Sequence, residues 1–285
     1  MTQFVRGSRW LTFLVSLLIV LLPATATAQE RAAPSLLETR TEKEEFLLKA
    51  SVIDEGDSST GPSKFWRVTL DDGKRKHDAA IETSTWRDAS RRDYRFNVAA
   101  YELDKALELN FVAPSVERAV KGQPAAFTWW VDDVLMNELA RRGQKIEPAD
   151  PDGWKKQMQV VRVFDELISN AYRNVSPSFH LATMWDNLLI TREWRIWLVD
   201  HTRTFGTSRQ LENPQSLGQC DRTLLRKLRE LNREVMKQKL GKYLDSEQLD
   251  ALEARRELLV KHFAEQIALK GEDAVLYDLP PRQEN

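Results

Sequence analysis

The chain has 285 residues, with 42 Lys and Arg against 43 Asp and Glu, four His and one Cys. Charges of both signs are interleaved along it, which argues against the clustered basic surface of a nucleic-acid binder. One cysteine excludes an intrachain disulfide framework, and the four histidines show no zinc spacing.

Residues 1–28 read as a secretory signal peptide. Arg6 and Arg9 precede an apolar run from Trp10 to Leu22, too short to span a bilayer comfortably, and Ala26-Thr27-Ala28 offers a small-residue cleavage site. The expectation is an exported, periplasmic or secreted protein, cleaved after Ala28, with no transmembrane helix in the mature chain. In such a compartment Cys220 is a free thiol or an intermolecular link.

Leu36 to Ala50 predicts an early helix, and the turn formers of residues 54–63 predict a loop. Phe65 to Leu70 and His77 to Thr83 predict two strands joined at Asp71-Asp72-Gly73. A helix is expected over Phe96–Leu107. Strands are expected at 112–116 and 125–131, joined through Lys121-Gly122. Val134 to Arg142 reads as a short helix stopped by Gly143, and a long helix begins at Trp154. From Asp221 onward only helices are expected. One carries Leu224, Leu228, Leu231 and Val235, and another carries Leu249, Leu252, Leu259, Phe263 and Ile267. No internal repeat is evident. Strands early and helices late give an α+β class.

The most informative stretch runs from Val161 to Phe205. An apolar helical face (Val160, Val163, Phe164, Leu167, Ile168) leads to Asn170, Arg173 and Asn174. Asn187-Leu188-Leu189 and Trp194–Val199 then form a hairpin around Thr191-Arg192-Glu193, and Asp200-His201-Thr202-Arg203-Thr204-Phe205 follows. An acid just past a buried strand stands at the strand's mouth, beside a cleft.

This order of motifs resembles the catalytic core of the phosphatidylinositol 3-/4-kinase-like superfamily, including HipA-like and Fam20-like atypical kinases, over about Ser35 to Leu279. The resemblance implies a two-lobed protein-kinase-like fold, with a β-rich N-lobe (29–131) and a mainly helical C-lobe (132–285) meeting near Trp129–Asp133. It implies Mg²⁺ or Mn²⁺ held by Asp200 and Asn187, and ATP between the lobes. The structural alternative is that Asp200 caps a strand end and Asn187 satisfies loop backbone.

Two positions depart from the family pattern. Tyr172 stands where the catalytic aspartate is expected, and a phenol with a pKa near 10 is a weak base at neutral pH. A segment with His180 follows it: either Asp186 or His180 supplies the base, with Arg173 beside the site, or the segment is a surface insertion that has replaced the active loop. Glu82 stands where the phosphate lysine is expected, and Asn97 where that lysine's glutamate would be. Lys64, Glu82 and Trp130 are therefore the candidate nucleotide contacts. Phe127 and Trp129 join Trp130 as aromatics that either stack on a base or, as strand aromatics more often do, fill the core. Two functional classes follow: an atypical phosphotransferase acting on a protein, lipid or small-molecule acceptor, or a pseudokinase binding module without turnover.

Overall fold

The computed structural model describes residues 39–58, 66–83, 93–170, 173 and 182–282. The expected signal segment, Lys64, Tyr172, Asn174 and His180 lie outside the described residues.

Helix α1 (Arg40–Lys49) starts at Thr39. The Thr39 side chain accepts from the Glu42 N–H while the Glu42 carboxylate takes the Thr39 N–H, a reciprocal cap. Strands β1 (Ser51–Ser58), β2 (Trp66–Asp71) and β3 (Lys76–Thr83) follow, then helix α2 (Arg95–Ala106), then β4 (Ser115–Val120) and β5 (Gln123–Trp129). All five strands pair antiparallel in the order β1-β2-β3-β5-β4. The β4–β5 turn places Lys121 at φ 50° and Gly122 at φ 76°. Two left-handed residues give the turn twist that suits a two-residue hairpin.

Strand alternation sorts this sheet into two faces. Val68, Leu70, Ala79, Ile81, Val116, Phe127 and Trp129 pack with Phe46 and Leu47 of α1. Glu82, Ala126 and the residues in register with them point the other way, where Ala126 packs with Tyr94 and Val98.

The chain then forms β6 (Val134–Asn137), α3 (Glu138–Gly143) and α4 (Pro151–Leu167). Asp150 caps α4 by accepting from the Gly153 N–H at 3.0 Å, with Pro151 in the first turn. Val160, Val163, Phe164 and Leu167 of α4 are at most 1% exposed. Each such side chain contributes about 1.5–3 kcal/mol of burial free energy. A 3-10 turn (Ala182–Asn187) leads into β7 (Leu188–Thr191) and β8 (Ile196–Leu198), and these complete a three-stranded sheet ordered β6-β7-β8. Strand β9 (Cys220–Asp221) and helices α5 (Arg222–Glu230), α6 (Arg233–Leu240), α7 (Ser246–Lys270) and α8 (Glu272–Val275) follow, and β10 (Leu276–Tyr277) pairs back on β9. The helical half packs around Leu224, Leu228, Leu252, Leu259 and Phe263. No helix among the described residues is long and apolar enough to cross a membrane.

Four local expectations need correction. Residues 54–58 are strand, not loop. β1 is an edge strand with two register shifts, and a Cβ on Gly56 would lie 3.1 Å from the Arg67 carbonyl oxygen. Turn-forming residues are tolerated on such an irregular edge. Val134–Asn137 is strand, because a short apolar run fits either period and β7 offers it a partner. The stripe from Leu224 to Val235 spans two helices, since Asn232 caps a new one through the N–H groups of Glu234 and Val235. A two-residue parallel pair, Cys220 with Leu276 and Asp221 with Tyr277, lies inside the expected all-helical region. Cys220, by contrast, is a free thiol as one of the two expectations had it: it is wholly buried, and burial pushes its thiol up, which suits an inert group.

Candidate functional site

The site grows from the end of α4. Asp165, 1% exposed, receives Arg173 Nε at 2.9 Å and Asn170 Nδ2 at 3.0 Å. Burial holds its carboxyl above the usual range, against the opposing pull of the Arg173 charge. Arg173 also donates through Nη1 to the Asn187 carbonyl at 3.2 Å. At 2% exposure it braces the main chain of the site. The Asn170 and Arg173 of the sequence motif are thus joined to an aspartate on the preceding helix that sequence reasoning did not single out. An acid within an amphipathic helix reads as a solvated residue, and only its spacing from Asn170 and Arg173 would have suggested otherwise.

Asn187 closes the 3-10 turn, and its Nδ2 lies 3.4 Å from Asp200 Oδ2. Hydrogen bonding of Val199 N–H to the Asn187 carbonyl at 3.1 Å keeps the two segments in register. Asp200 lies past the end of β8 at φ 51°, a left-handed conformation that Asp adopts more readily than most side-chain-bearing residues. The Thr202 hydroxyl donates to Asp200 Oδ1 at 2.6 Å. Asp186, next to Asn187, has its carboxyl pushed up by burial and by the charge of Asp200. Its Oδ1 is shut off from solvent and has no hydrogen-bond partner.

Glu82 comes to this region through α2. Asn97 is 3% exposed, donates through Nδ2 to Glu82 Oε2, and accepts the His201 main-chain N–H at 2.7 Å. One side chain therefore separates Glu82 from the residue that follows Asp200. His201 is 1% exposed, and burial together with the Arg173 charge holds its ring well below the ordinary histidine value.

Trp130 is half-buried, and the Arg67 guanidinium lies 4.3 Å from its ring centroid. Its N–H donates to the Asp78 carbonyl. Strand alternation puts Ala126, Thr128 and Trp130 on the sheet face that carries Glu82. Phe127 and Trp129 belong to the opposite face. Trp129 is 5% exposed, stacked on His77 and packed against Phe46. Of the two readings of these aromatics, base stacking or core, Phe127 and Trp129 take the second: both belong to the buried cluster under the sheet. Asp132 and Asp133 follow the sheet at the expected lobe boundary. Asp132 receives His77 Nε2 at 2.8 Å, and Asp133 accepts the Arg192 N–H.

No group of three or more His, Cys, Asp or Glu poised for a metal occurs among the described residues. Asp200, Asn187 and Asp186 are still hard oxygen donors, and one oxygen of Asp186 is buried without a partner. Such a set suits a cation that takes one or two carboxylates and completes its shell with phosphate oxygens and water, as Mg²⁺ does.

No family model and no curated protein matches the chain in sequence. Among solved structures it is similar to hydra Fam20 with sugar, at a TM-score of 0.63 and 13% identity, covering 84% of this chain and 92% of that one. At that identity the likeness shows the fold. The chain has a two-lobed kinase-like fold, with an antiparallel sheet and a mainly helical half.

Proposed function

We propose that this is an exported kinase-fold protein that binds a nucleotide, ATP in the first instance, with Mg²⁺ or Mn²⁺ between an N-lobe ending near 131 and a C-lobe beginning near 132. Asp200 and Asn187 hold the cation. Glu82, Trp130 and Lys64 face the nucleotide, with Lys64 assigned from its place in sequence alone. The observation that carries this reading is the paired side chains of Asn187 and Asp200 beside an unpartnered oxygen of Asp186. Phosphoryl transfer depends mainly on positioning and on cations that neutralise phosphate charge, and such a donor set serves that end. Arg173 acts at one remove, by holding the Asn187 main chain.

Two outcomes of nucleotide binding are distinct. In the pseudokinase reading, which the loss of the usual aspartate and lysine favours, the bound nucleotide sets the shape of a surface for an unidentified protein. In the transferase reading Asp186 takes the acceptor's proton. Its raised carboxyl favours this, since a base works best with a pKa nearer the working pH. Acceptors to test are protein, lipid and small molecules, saccharides included because the hydra Fam20 structure holds sugar.

Calorimetry of the purified protein with ATP, with and without Mn²⁺, tests the binding. A γ-phosphate transfer assay over those acceptors then separates the two outcomes, with Asp186→Asn as the control. The reading predicts metal-dependent binding. Absence of nucleotide binding in both conditions would overturn it.

A further inference from the structure

Asp200 is held in a left-handed backbone conformation, φ 51°. Aspartate enters the left-handed region more readily than most residues, but the turn still depends on its surroundings to hold it there. The Thr202 bonds to the Asp200 carboxylate lie inside the same turn and move with it. Restraint from outside comes on the upstream side from the Val199 N–H to the Asn187 carbonyl. On the downstream side it comes from the α2 end of the molecule. The Asp93 N–H donates to the Thr202 carbonyl at 2.8 Å, and Asn97 Oδ1 accepts the His201 N–H at 2.7 Å.

Asn97 is oriented by chemistry as well as by packing. A carboxylate only accepts, so Glu82 draws the amide NH₂ toward itself. The amide oxygen is then left facing the His201 N–H. A reversed amide would set oxygen against carboxylate and NH₂ against N–H. Glu82 and Asn97 thus act as a unit: the first fixes which way the second points, and the second grips the peptide that follows Asp200. The pair stands where related kinases are expected to place a lysine and a glutamate. Here it does different work.

We infer that Asn97 is a positioning residue for cation binding at Asp200, with Glu82 setting the direction of its amide. This rests on the proposed reading of Asp200 as a metal ligand. Asn97 itself touches neither metal nor nucleotide. Groups one bond removed from a metal ligand typically alter affinity by about 10–100-fold when lost.

The test is an exchange of the two functional groups. Asn97→Asp keeps an acceptor for the His201 N–H but sets two carboxylates face to face. Adding Glu82→Gln restores a donor–acceptor contact in the reverse sense, with the original net charge. Mn²⁺ affinity of the purified protein is measured by the resonance of free Mn²⁺, at a temperature where melting curves show every variant folded. We expect a loss of about tenfold or more in Asn97→Asp and recovery to within about threefold of wild type in the double variant, following the effect of such outer groups on metal affinity. A residue that only supported the fold would lower melting temperature without this loss and recovery. Should Asn97→Asp fail to fold, Asn97→Ala carries the same comparison without added charge, and the same loss is expected. The inference is overturned if wild type binds Mn²⁺ through Asp200 and the folded Asn97 variant binds equally well, or if the exchanged pair stays as weak as Asn97→Asp. A wild-type protein that binds no Mn²⁺ would instead sink the metal reading itself, and this inference with it.

Discussion

Arg173 and Asp165 are 2% and 1% exposed, and each depends on the other. Arg173→Ala would leave a buried carboxylate without its cation, a change that typically costs about 3–5 kcal/mol. Urea denaturation checks this, and Arg173→Ala with Asp165→Leu should recover part of the loss because no charge is then stranded. His201 predicts a pH effect. Burial and Arg173 hold its folded value well below the ordinary one, so the unfolded chain binds the proton more readily. The stability it contributes is complete above about pH 6.5 and falls as pH drops, by at most about 1.4 kcal/mol per unit. Melting temperatures from pH 8 to 5 should show a shallower decline in His201→Leu than in wild type. Asp186 has the opposite sign. Its folded value is raised, so it destabilises the charged form at neutral pH, and that penalty eases as pH falls through the raised value toward the ordinary value near 3.9. Asp186→Asn should therefore melt higher than wild type at pH 7 without metal, and a lower melting point would contradict the assignment. Asp200 and Asn187 were legible as candidates because they stand at the ends of apolar strands. Asp165 was not, since helical spacing alone does not reveal that an acid is buried, and the link from Asn97 to His201 joins residues 104 positions apart.

Helix α2 shows how one element orders several others. Asn97, Tyr101 and Asp104 lie at helical spacing and are all buried. Asn97 reaches β3 and the turn after Asp200. Tyr101 donates to Glu44 of α1, and Asp104 pairs with Arg40 while accepting the N–H groups of Asn110, Phe111 and Val112 at 2.9–3.2 Å. Asp104→Ala would leave Arg40 and three main-chain donors without that acceptor. A loss of more than about 3 kcal/mol is expected, as for other buried charge pairs cut on one side. Chemical denaturation measures it, and a loss under about 1 kcal/mol would mean that the buried network is slack. The element itself was legible from its apolar spacing, within a residue or so of its ends. Its polar buried face was not, because periodicity marks apolar faces and passes over satisfied polar ones. The same limit explains β6: Val134–Asn137 is a strand only because β7 lies beside it, and local sequence contains no trace of that neighbour.

At the scale of the molecule, the early strands form one sheet, the later helices gather around α4 and α7, and the Asp200 turn is tied to both halves. Arg255, wholly buried on α7, donates to the carbonyls of Leu167, Gly206 and Ser208, which braces the end of α4 and the segment after Phe205. The order of strands, long helix, hairpin and aspartate was readable along the chain, which is why the kinase-like architecture could be expected before any coordinates. Which groups the fold brings together around Asp200 depends on long-range contacts such as Asn97 to His201, and there the chain departs from the pattern it resembles. Asp200 is proposed to anchor a cation through which nucleotide binds. Calorimetric titration of ATP into wild type and Asp200→Ala, each with Mn²⁺ and with chelator, tests it most directly. We expect binding to wild type with Mn²⁺ only, and none to a folded Asp200→Ala in either condition. Nucleotide affinity that is unchanged by the substitution, or unchanged by the chelator, would contradict it.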